Sequence, residues 1–280
     1  IDKYLEEWKA SADKKPLIVK GARQVGKTAS IRYFGEKYYQ HIVEINFALQ
    51  PKYKQIFADG YEVDSIIKNI TLLNPSLVVV PHETLLFFDE LQEYPDWATS
   101  LKSFKQDGRY DVICSGSLMG LYYQQIESNS VGYKTDYEMY SLDFEEFLWA
   151  MGNETLMPFL QKRYAEAKPI KEMHREAMDY FRRYMIVGGM PQAVEKYVQT
   201  RDFAQVDLIK RDILTTYRND IRKHAGRLAM KVTSIFDEIP AQLQRNERKF
   251  RLADLLAHLN SDNSFNPYLI SSSIPTLCTM

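Results

Sequence analysis

The eight residues GARQVGKT (21–28) have the residue types and the spacing of a phosphate-binding loop, because they meet the pattern G-x-x-x-x-G-K-[ST]. Glycines allow consecutive backbone N–H groups to turn toward one anion without a Cβ in the way. A helix that begins at such a loop adds its unpaired N–H groups and the positive end of its dipole. In this arrangement Lys27 contacts the β- and γ-phosphates of a nucleotide, and the Thr28 hydroxyl contacts Mg²⁺.

The sequence on either side of the loop favours this interpretation. The apolar run PLIV precedes the loop and the helix-like segment ASIRYFGEKY follows it, which is the strand–loop–helix context that the motif requires. The alternative is an ordinary glycine-rich turn with a solvated lysine. We expect nine consecutive residues to form the nucleotide site: Gly21, Ala22, Arg23, Gln24, Val25, Gly26, Lys27, Thr28 and Ala29.

A second motif, TLLFFDE (84–90), ends in two carboxylates after an apolar run. A phosphate-binding loop needs an acidic residue at the end of another central strand to hold the magnesium shell, and Asp89 has that position. Glu90, one residue further, is placed to act as the general base that activates an attacking water. Alone, this stretch would suggest a solvated acidic loop. Together with the first motif it predicts nucleotide hydrolysis rather than nucleotide binding alone.

A cluster of small polar residues follows a third apolar run, in YDVICSGS (110–117). Ligands of open α/β sheets bind at the carboxyl ends of the strands, so Ser115 could contact the γ-phosphate or orient the water. Ser117 is the second candidate, and a serine-rich turn that satisfies its own backbone is the alternative. The sequence contains no Asn-Lys-x-Asp element that would select guanine. We therefore expect ATP rather than GTP.

Five short runs in the first half are apolar or β-prone, and helix-like segments lie between most of them. Solidly apolar runs are typical of parallel strands buried on both faces. We predict an α/β fold, with a three-layer αβα P-loop NTPase core and a mainly parallel five-stranded sheet. The extra run between the two motifs predicts the additional-strand, catalytic-glutamate class, in which another strand separates their two strands. The runs are 16–22, 41–48, 84–92, 110–117 and 137–142.

The second half has a helical pattern. From Asp143 onward the strand signal disappears, and Ile209, Ile213, Tyr217 and Ile221 repeat every four residues, which predicts an amphipathic helix. The segment IVGGMP reads as the end of one helix and the start of another, with a lid hinge as the alternative. An arginine finger is also conceivable, and its candidates are Arg182, Arg183, Arg211, Arg218 and Arg222.

The composition is that of a globular protein. The chain has 280 residues, enough for about two domains, and 36 basic against 37 acidic residues give no global basic field for nucleic acid. Cys114 and Cys278 form no disulfide framework or metal spacing, and no apolar run approaches the length of a membrane span. We expect a cytoplasmic protein. Because the chain starts at Ile1 and its last residues show no periodicity, we expect it to extend further at both ends.

Seven segments of the chain occur in the order found in a large family of prokaryotic AAA-superfamily ATPases. The resemblance runs from about Lys14 to Phe250. In that family a P-loop domain of the STAND and archaeal-ATPase branch precedes a C-terminal domain of unknown function with winged-helix and nuclease-like parts. The segments are GARQVGKT, TLLFFDELQ, SGSLMG, YSLDFEEFLWA, IVGGMPQAV, YRNDIRKHAG and IPAQL.

The resemblance implies a domain organisation and roles for the residues named above. We expect an ATPase core at 1–150, a helical, lid-like domain at 151–245 and the truncated start of a winged-helix-like segment at 246–280. It implies ATP and Mg²⁺ as cofactors, with catalytic roles for Lys27, Glu90 and Ser115, and a DNA or protein partner for the C-terminal region. The chain ends at Met280, before the nuclease-like part of the family pattern.

The residues and the resemblance together favour an enzyme, an Mg²⁺-dependent ATPase of the AAA type that acts as an ATP-gated conformational switch. The alternative is a nucleic-acid-binding regulatory module of a mobile-element or defence system, in which ATP is only a regulator. A small-molecule kinase is a third interpretation. It is less favoured because Glu90 suits the activation of water.

Overall fold

Five strands form a parallel sheet in the first half of the chain. The computed structural model describes residues 1–117, 132–171 and 173–244. The strands are β1 (Leu17–Gly21), β2 (His41–Asn46), β3 (Thr84–Asp89), β4 (Asp111–Ser117) and β5 (Thr135–Met139). Their order across the sheet is β2-β3-β4-β1-β5, and every neighbouring pair is parallel. All five predicted strands are therefore present.

Strand β4 lies between the strand that leads into the glycine-rich loop and the strand that leads to the carboxylates. Val19 of β1 is in register with Ser115 of β4, and Cys114 of β4 is in register with Phe88 of β3. The predicted separation of the two motif strands by another strand is confirmed. Because the strands are parallel, their carboxyl ends meet at one edge of the sheet.

Short helices alternate with the strands and then replace them. Within the described residues the α-helices are α1 (Asp2–Ala10), α2 (Lys27–Tyr38), α3 (Val63–Leu73), α4 (Ser100–Asp107), α5 (Phe144–Ala150), α6 (Leu156–Ala165), α7 (Met173–Val187), α8 (Pro191–Thr200), α9 (Phe203–His224) and α10 (Ala229–Leu243). From Asp143 onward the described residues contain helices and no strand, as the sequence pattern predicts.

The sheet is covered on both faces, and the four middle residues of β3, Leu85 to Phe88, are all apolar and fully buried. Phe88 points into a core that contains Ile66 of α3 and Leu101 of α4. Phe87, its neighbour in the strand, points into a second core that contains Phe34 of α2. Successive side chains of a strand alternate between faces, so a strand buried on both faces needs apolar residues at every position. The three-layer αβα core is confirmed.

The contacts within the chain divide it into two units, Ile1–Pro191 and Gln192–Met280. The first unit contains the sheet and also helices α5 to α7. Helix α5 begins with a capping box, in which the Asp143 carboxylate accepts from the Glu146 N–H and the Glu146 carboxylate accepts from the Asp143 N–H. The domain boundaries expected at residues 150 and 245 stay predictions.

The second unit contains the predicted amphipathic helix. Ile213, Tyr217 and Ile221 of α9 are buried, and Ile209 is partly buried. The Tyr217 ring stacks on Phe236 of α10 with their centroids 6.3 Å apart. One apolar stripe of α9 therefore packs within the unit, as the four-residue repeat indicates.

The glycine-rich segment before α8 is a boundary between helices, as expected. Helix α7 ends at Val187 and α8 begins at Pro191. The winged-helix start expected at 246–280 lies outside the described residues. In the ranges that the structure describes, no helix combines the length and the apolar composition that a membrane span requires.

The Phe88 side chain is a test of the sheet core, because it is fully buried among Phe47, Trp97 and Phe104. We expect Phe88→Ala to lower the free energy of unfolding by about 3–5 kcal/mol, since it leaves a cavity in a close-packed core. The three tryptophans all lie in the first unit, so urea denaturation followed by tryptophan fluorescence measures this loss.

Tyr164→Ala is the control for that experiment. Tyr164 is 90% exposed, and its truncation should change the free energy of unfolding by less than about 0.5 kcal/mol. Equal losses in the two variants would contradict the packing described for Phe88.

Candidate functional site

The glycine-rich loop connects β1 to α2 at the carboxyl edge of the sheet. At its first residue, Gly21, a Cβ would lie 2.2 Å from the carbonyl oxygen of Met139 on the adjacent strand β5. No side chain fits this gap, so glycine is required where the chain leaves the sheet. The loop then turns through positive φ values at Gln24 (66°) and Gly26 (101°) before α2 begins at Lys27.

The N-terminus of α2 provides backbone donors at this edge. The Ser30 N–H donates to the Gly26 carbonyl at 3.0 Å, which is the first hydrogen bond of the helix. By the geometry of an α-helix, the N–H groups before Ser30 have no partner inside it. Together with the dipole of the helix, these groups favour an anion at the loop.

The Lys27 side chain folds back over the loop. Its Nζ donates to the carbonyl oxygens of Gly21 at 3.0 Å and Ala22 at 2.7 Å. Burial lowers the pKa of the Lys27 ammonium below its usual value, and the nearby charges of Glu90 and Asp89 oppose that shift. A partly desolvated cation held by two neutral carbonyls is well suited to receive a phosphate, because a phosphate would supply the missing negative charge.

Asp89 is the centre of a hydrogen-bond network at the end of β3, and it is only 5% exposed. Its Oδ2 accepts from Thr28 Oγ1 at 3.2 Å and from Asn46 Nδ2 at 3.1 Å. Its Oδ1 accepts from the Ser115 hydroxyl and from the Glu90 N–H, the latter at 3.0 Å. Residues of four segments thus converge on one carboxylate.

Asn46 is a site residue that the sequence reasoning did not identify. It ends β2, and its Oδ1 accepts from the N–H groups of Ala48 at 3.0 Å and Leu49 at 2.9 Å, which closes an Asx turn. This turn leaves the Asn46 amide to donate to Asp89. In the sequence, Asn46 is a polar residue at the end of a predicted strand. This pattern does not show that Asn46 reaches Asp89, because the contact requires β2 to lie beside β3.

Glu90 follows Asp89 in a left-handed backbone conformation, with φ 57°. The buried Leu91 and Gln92 come next, in a short 3₁₀ helix. Gln92 was also not identified from the sequence. Its Nε2 donates to the Glu90 carboxylate, and its Oε1 accepts from the Ser117 N–H at 3.3 Å.

The residues predicted from the two motifs are close together in the structure. Thr28, Asp89 and Ser115 are joined by direct hydrogen bonds, and Lys27 lies close enough to Glu90 for their charges to interact. Ser115 is fully buried, and its hydroxyl donates to Asp89. The role of Ser115 toward a γ-phosphate, and the nine-residue nucleotide site, stay predictions.

Comparisons with protein-family models identify two segments. Residues 13–148 match an AAA domain. This range includes the sheet, the glycine-rich loop and Asp89, so the match supports the resemblance of this part of the chain to AAA-superfamily P-loop proteins. Residues 178–269 match a domain of unknown function, DUF8612. The assignment to the STAND branch and the further C-terminal parts stay predictions.

Solved structures with a similar arrangement have low sequence identity to this chain. A Walker-type ATPase of Pyrococcus abyssi is 14% identical, with a TM-score of 0.49, over 100% of this chain and 88% of that one. The C. elegans PCH-2 structure is 10% identical, with a TM-score of 0.41, over 72% of this chain and 62% of that one. The Drosophila ORC structure bound to DNA is 14% identical, with a TM-score of 0.39, over 99% of this chain and 84% of that one. No curated protein is significantly similar to the chain.

The contact between Asn46 and Asp89 predicts a loss of stability in Asn46→Asp. The variant keeps the oxygen that closes the Asx turn but replaces the amide donor by a second carboxylate beside the buried Asp89. We expect the free energy of unfolding, measured by urea denaturation, to fall by about 1–3 kcal/mol.

Asn69→Asp is the matched control. The Asn69 amide also donates to a carboxylate, Asp59 Oδ2 at 3.1 Å, but this contact is exposed to solvent. The same nitrogen donates to the Ile56 carbonyl oxygen at 3.2 Å. Solvent screens the new repulsion there, so we expect a loss below about 1 kcal/mol. A loss as large as that of Asn46→Asp would show that burial of the Asp89 network is not the cause.

Proposed function

We propose that this chain binds ATP with Mg²⁺ at the carboxyl edge of the sheet and hydrolyses it to ADP and phosphate. The hydrogen bond between Thr28 Oγ1 and Asp89 Oδ2, 3.2 Å long, is the main support. It joins a phosphate-loop motif to a strand-end carboxylate 61 residues away in the chain. The match of residues 13–148 to an AAA domain agrees with this proposal.

The oxygen atoms at this edge fit Mg²⁺. Mg²⁺ prefers hard oxygen ligands and keeps several of its waters, and Thr28 and Asp89 present two such oxygens within 3.2 Å of each other. In the proposed complex the side-chain oxygens of Thr28 and Asp89 would hold the ion. The ion would neutralise part of the charge on the β- and γ-phosphates.

In the proposed reaction Lys27, Glu90 and Ser115 have separate roles. Lys27 exchanges its contacts with the Gly21 and Ala22 carbonyls for the phosphates, which brings a positive charge to the group that leaves. Glu90 accepts a proton from a water whose oxygen attacks the γ-phosphorus while the bond to the β-phosphate oxygen breaks. Ser115 orients Asp89 through its hydroxyl, and we propose that it also contacts the γ-phosphate of the bound nucleotide.

The proposed function includes a switch, in which nucleotide occupancy changes the position of the helical segments. A Cβ placed on Gly26 would lie 3.7 Å from Cγ of Pro191, the residue at which α8 begins. It would lie 3.6 Å from Cε of Met139. A rearrangement of the loop around a bound nucleotide would therefore reach the start of α8, because packed groups do not move independently.

Hydrolysis is tested with Lys27→Ala and Glu90→Gln. Lys27→Ala should weaken ATP binding by at least about tenfold in calorimetry, because a buried charge on the phosphates is lost. Glu90→Gln should bind ATP with the parent affinity but lower kcat by about 10²–10⁴-fold, since the proton acceptor is removed. Mg²⁺-dependent phosphate release measures turnover.

Two controls carry the same chemical changes away from the site. Lys37→Ala removes a lysine charge in the last turn of α2. Glu83→Gln removes a glutamate charge just before the amino end of β3, whereas the proposed site is at the carboxyl ends of the strands. Both should bind and hydrolyse ATP at parent rates. Parent-like turnover in Glu90→Gln would exclude Glu90 as the base, and absence of ATP binding by the parent chain would contradict the proposed function.

The switch is tested by hydrogen exchange on Glu90→Gln with ATP, with ADP and without nucleotide. We expect protection of the backbone amides between Val187 and Thr200 to differ between the ATP and ADP states, because Pro191 lies beside Gly26 of the loop. Equal protection in both states, with the nucleotide bound, would contradict the switch without affecting hydrolysis.

A further inference from the structure

Gln92 makes hydrogen bonds in two directions with one amide group. Its Nε2 donates to the Glu90 carboxylate, and its Oε1 accepts from the Ser117 N–H at 3.3 Å. The residue is only 9% exposed. A neutral amide is required here, because donation and acceptance at opposite ends need both an N–H₂ group and a carbonyl oxygen.

The Gln92 side chain lies directly on the backbone of β4. A Cβ on Gly116 would be 3.1 Å from Gln92 Oε1 and 3.5 Å from Leu91 Cβ. Strand β4 therefore runs close beside the 3₁₀ helix at Gly116. The position of the Gln92 amide is consequently determined by the end of β4.

The backbone of Glu90 is held independently of its side chain. Its N–H donates to Asp89 Oδ1 at 3.0 Å, and the next residue, Leu91, is 1% exposed in the core. The carboxylate lies three bonds beyond this fixed backbone, and a side chain of that length has several rotamers. The hydrogen bond from Gln92 selects among them and leaves the second carboxylate oxygen to accept a proton.

We propose that Gln92 is a positioning residue for the base. It holds the Glu90 carboxylate and ties its orientation to the end of β4, the strand that carries Ser115. A displacement of the Ser117 N–H moves Oε1 of Gln92, and the rigid amide moves Nε2 and Glu90 with it. The inference rests on the proposed function, because it assigns a partner to the base proposed there.

The test compares Gln92→Glu and Gln92→Met with the parent chain. Gln92→Glu keeps the shape and the acceptor for the Ser117 N–H, but it places a second carboxylate against Glu90. Gln92→Met keeps the chain length and removes both hydrogen bonds without adding a charge. We expect kcat to fall about 10- to 100-fold in each variant, the effect of one charge-assisted hydrogen bond. The affinity for ATP should stay within about twofold, because the two hydrogen bonds of the Gln92 amide join it to Glu90 and Ser117 and not to the loop.

Gln242→Glu is the matched control for folding. Gln242 is 8% exposed, and its Nε2 donates to Glu238 at 3.1 Å in the second unit. The same substitution beside the same type of partner, at similar burial, should leave kcat within about twofold. Melting temperatures of the two Gln→Glu variants show whether they differ in stability.

A double variant separates positioning from a general structural effect. If Gln92 acts through Glu90, then Gln92→Glu should change the residual turnover of Glu90→Gln by less than about twofold, whereas independent effects would multiply. Turnover of Gln92→Met or Gln92→Glu at the parent rate, or multiplied losses in the double variant, would overturn the inference. Absence of turnover in the parent chain would instead contradict the proposed function. If Gln92→Glu does not fold, Gln92→Met carries the test.

Discussion

The buried carboxylate of Asp89 is the group on which the rest of the site depends. A carboxylate that is almost excluded from water is stable only if hydrogen bonds replace its hydration. Here the donors come from Thr28 in the loop, Asn46 on β2, Ser115 on β4 and its own chain neighbour Glu90. Because each donor lies on a different segment, satisfying the carboxylate also holds the loop and three strands together at one edge.

The strand order explains why this convergence occurs at β3. Strand β3 has β2 on one side and β4 on the other, so polar residues at the ends of both neighbours reach the Asp89 carboxylate. The loop after β1 reaches it across β4, through Thr28 at the start of α2. An arrangement with β1 directly beside β3 would leave no place for Ser115. The inserted strand therefore adds a polar group between the two motifs.

The two carboxylates have different environments, although they are adjacent in the chain. Asp89 is surrounded by donors and is nearly buried, which suits the cation-binding role proposed for it. Glu90 turns away through a left-handed backbone conformation and contacts Gln92, a residue that also contacts β4. Glu90 is also partly exposed, whereas Asp89 is buried. The local geometry thus gives the two carboxylates different partners, which agrees with the separate metal-binding and base roles proposed for them.

The sequence by itself determined the loop motif, the acidic pair, the five strands and the change to helices after Asp143, because these features depend on local spacing and on hydrophobic pattern. Only the tertiary structure decided that Asn46 and Gln92 belong to the site. Asn46 donates to Asp89 on β3, whereas Gln92 donates to Glu90 and accepts from the Ser117 N–H on β4. Such bonds depend on which strands are neighbours and in what register. Ser115 shows both contributions: its pattern placed it at the active edge of the sheet, but the position of β4 beside β3 turned its hydroxyl to Asp89. The order of the strands across the sheet and the close packing of side chains are properties of the whole fold, and local sequence periodicity does not encode them.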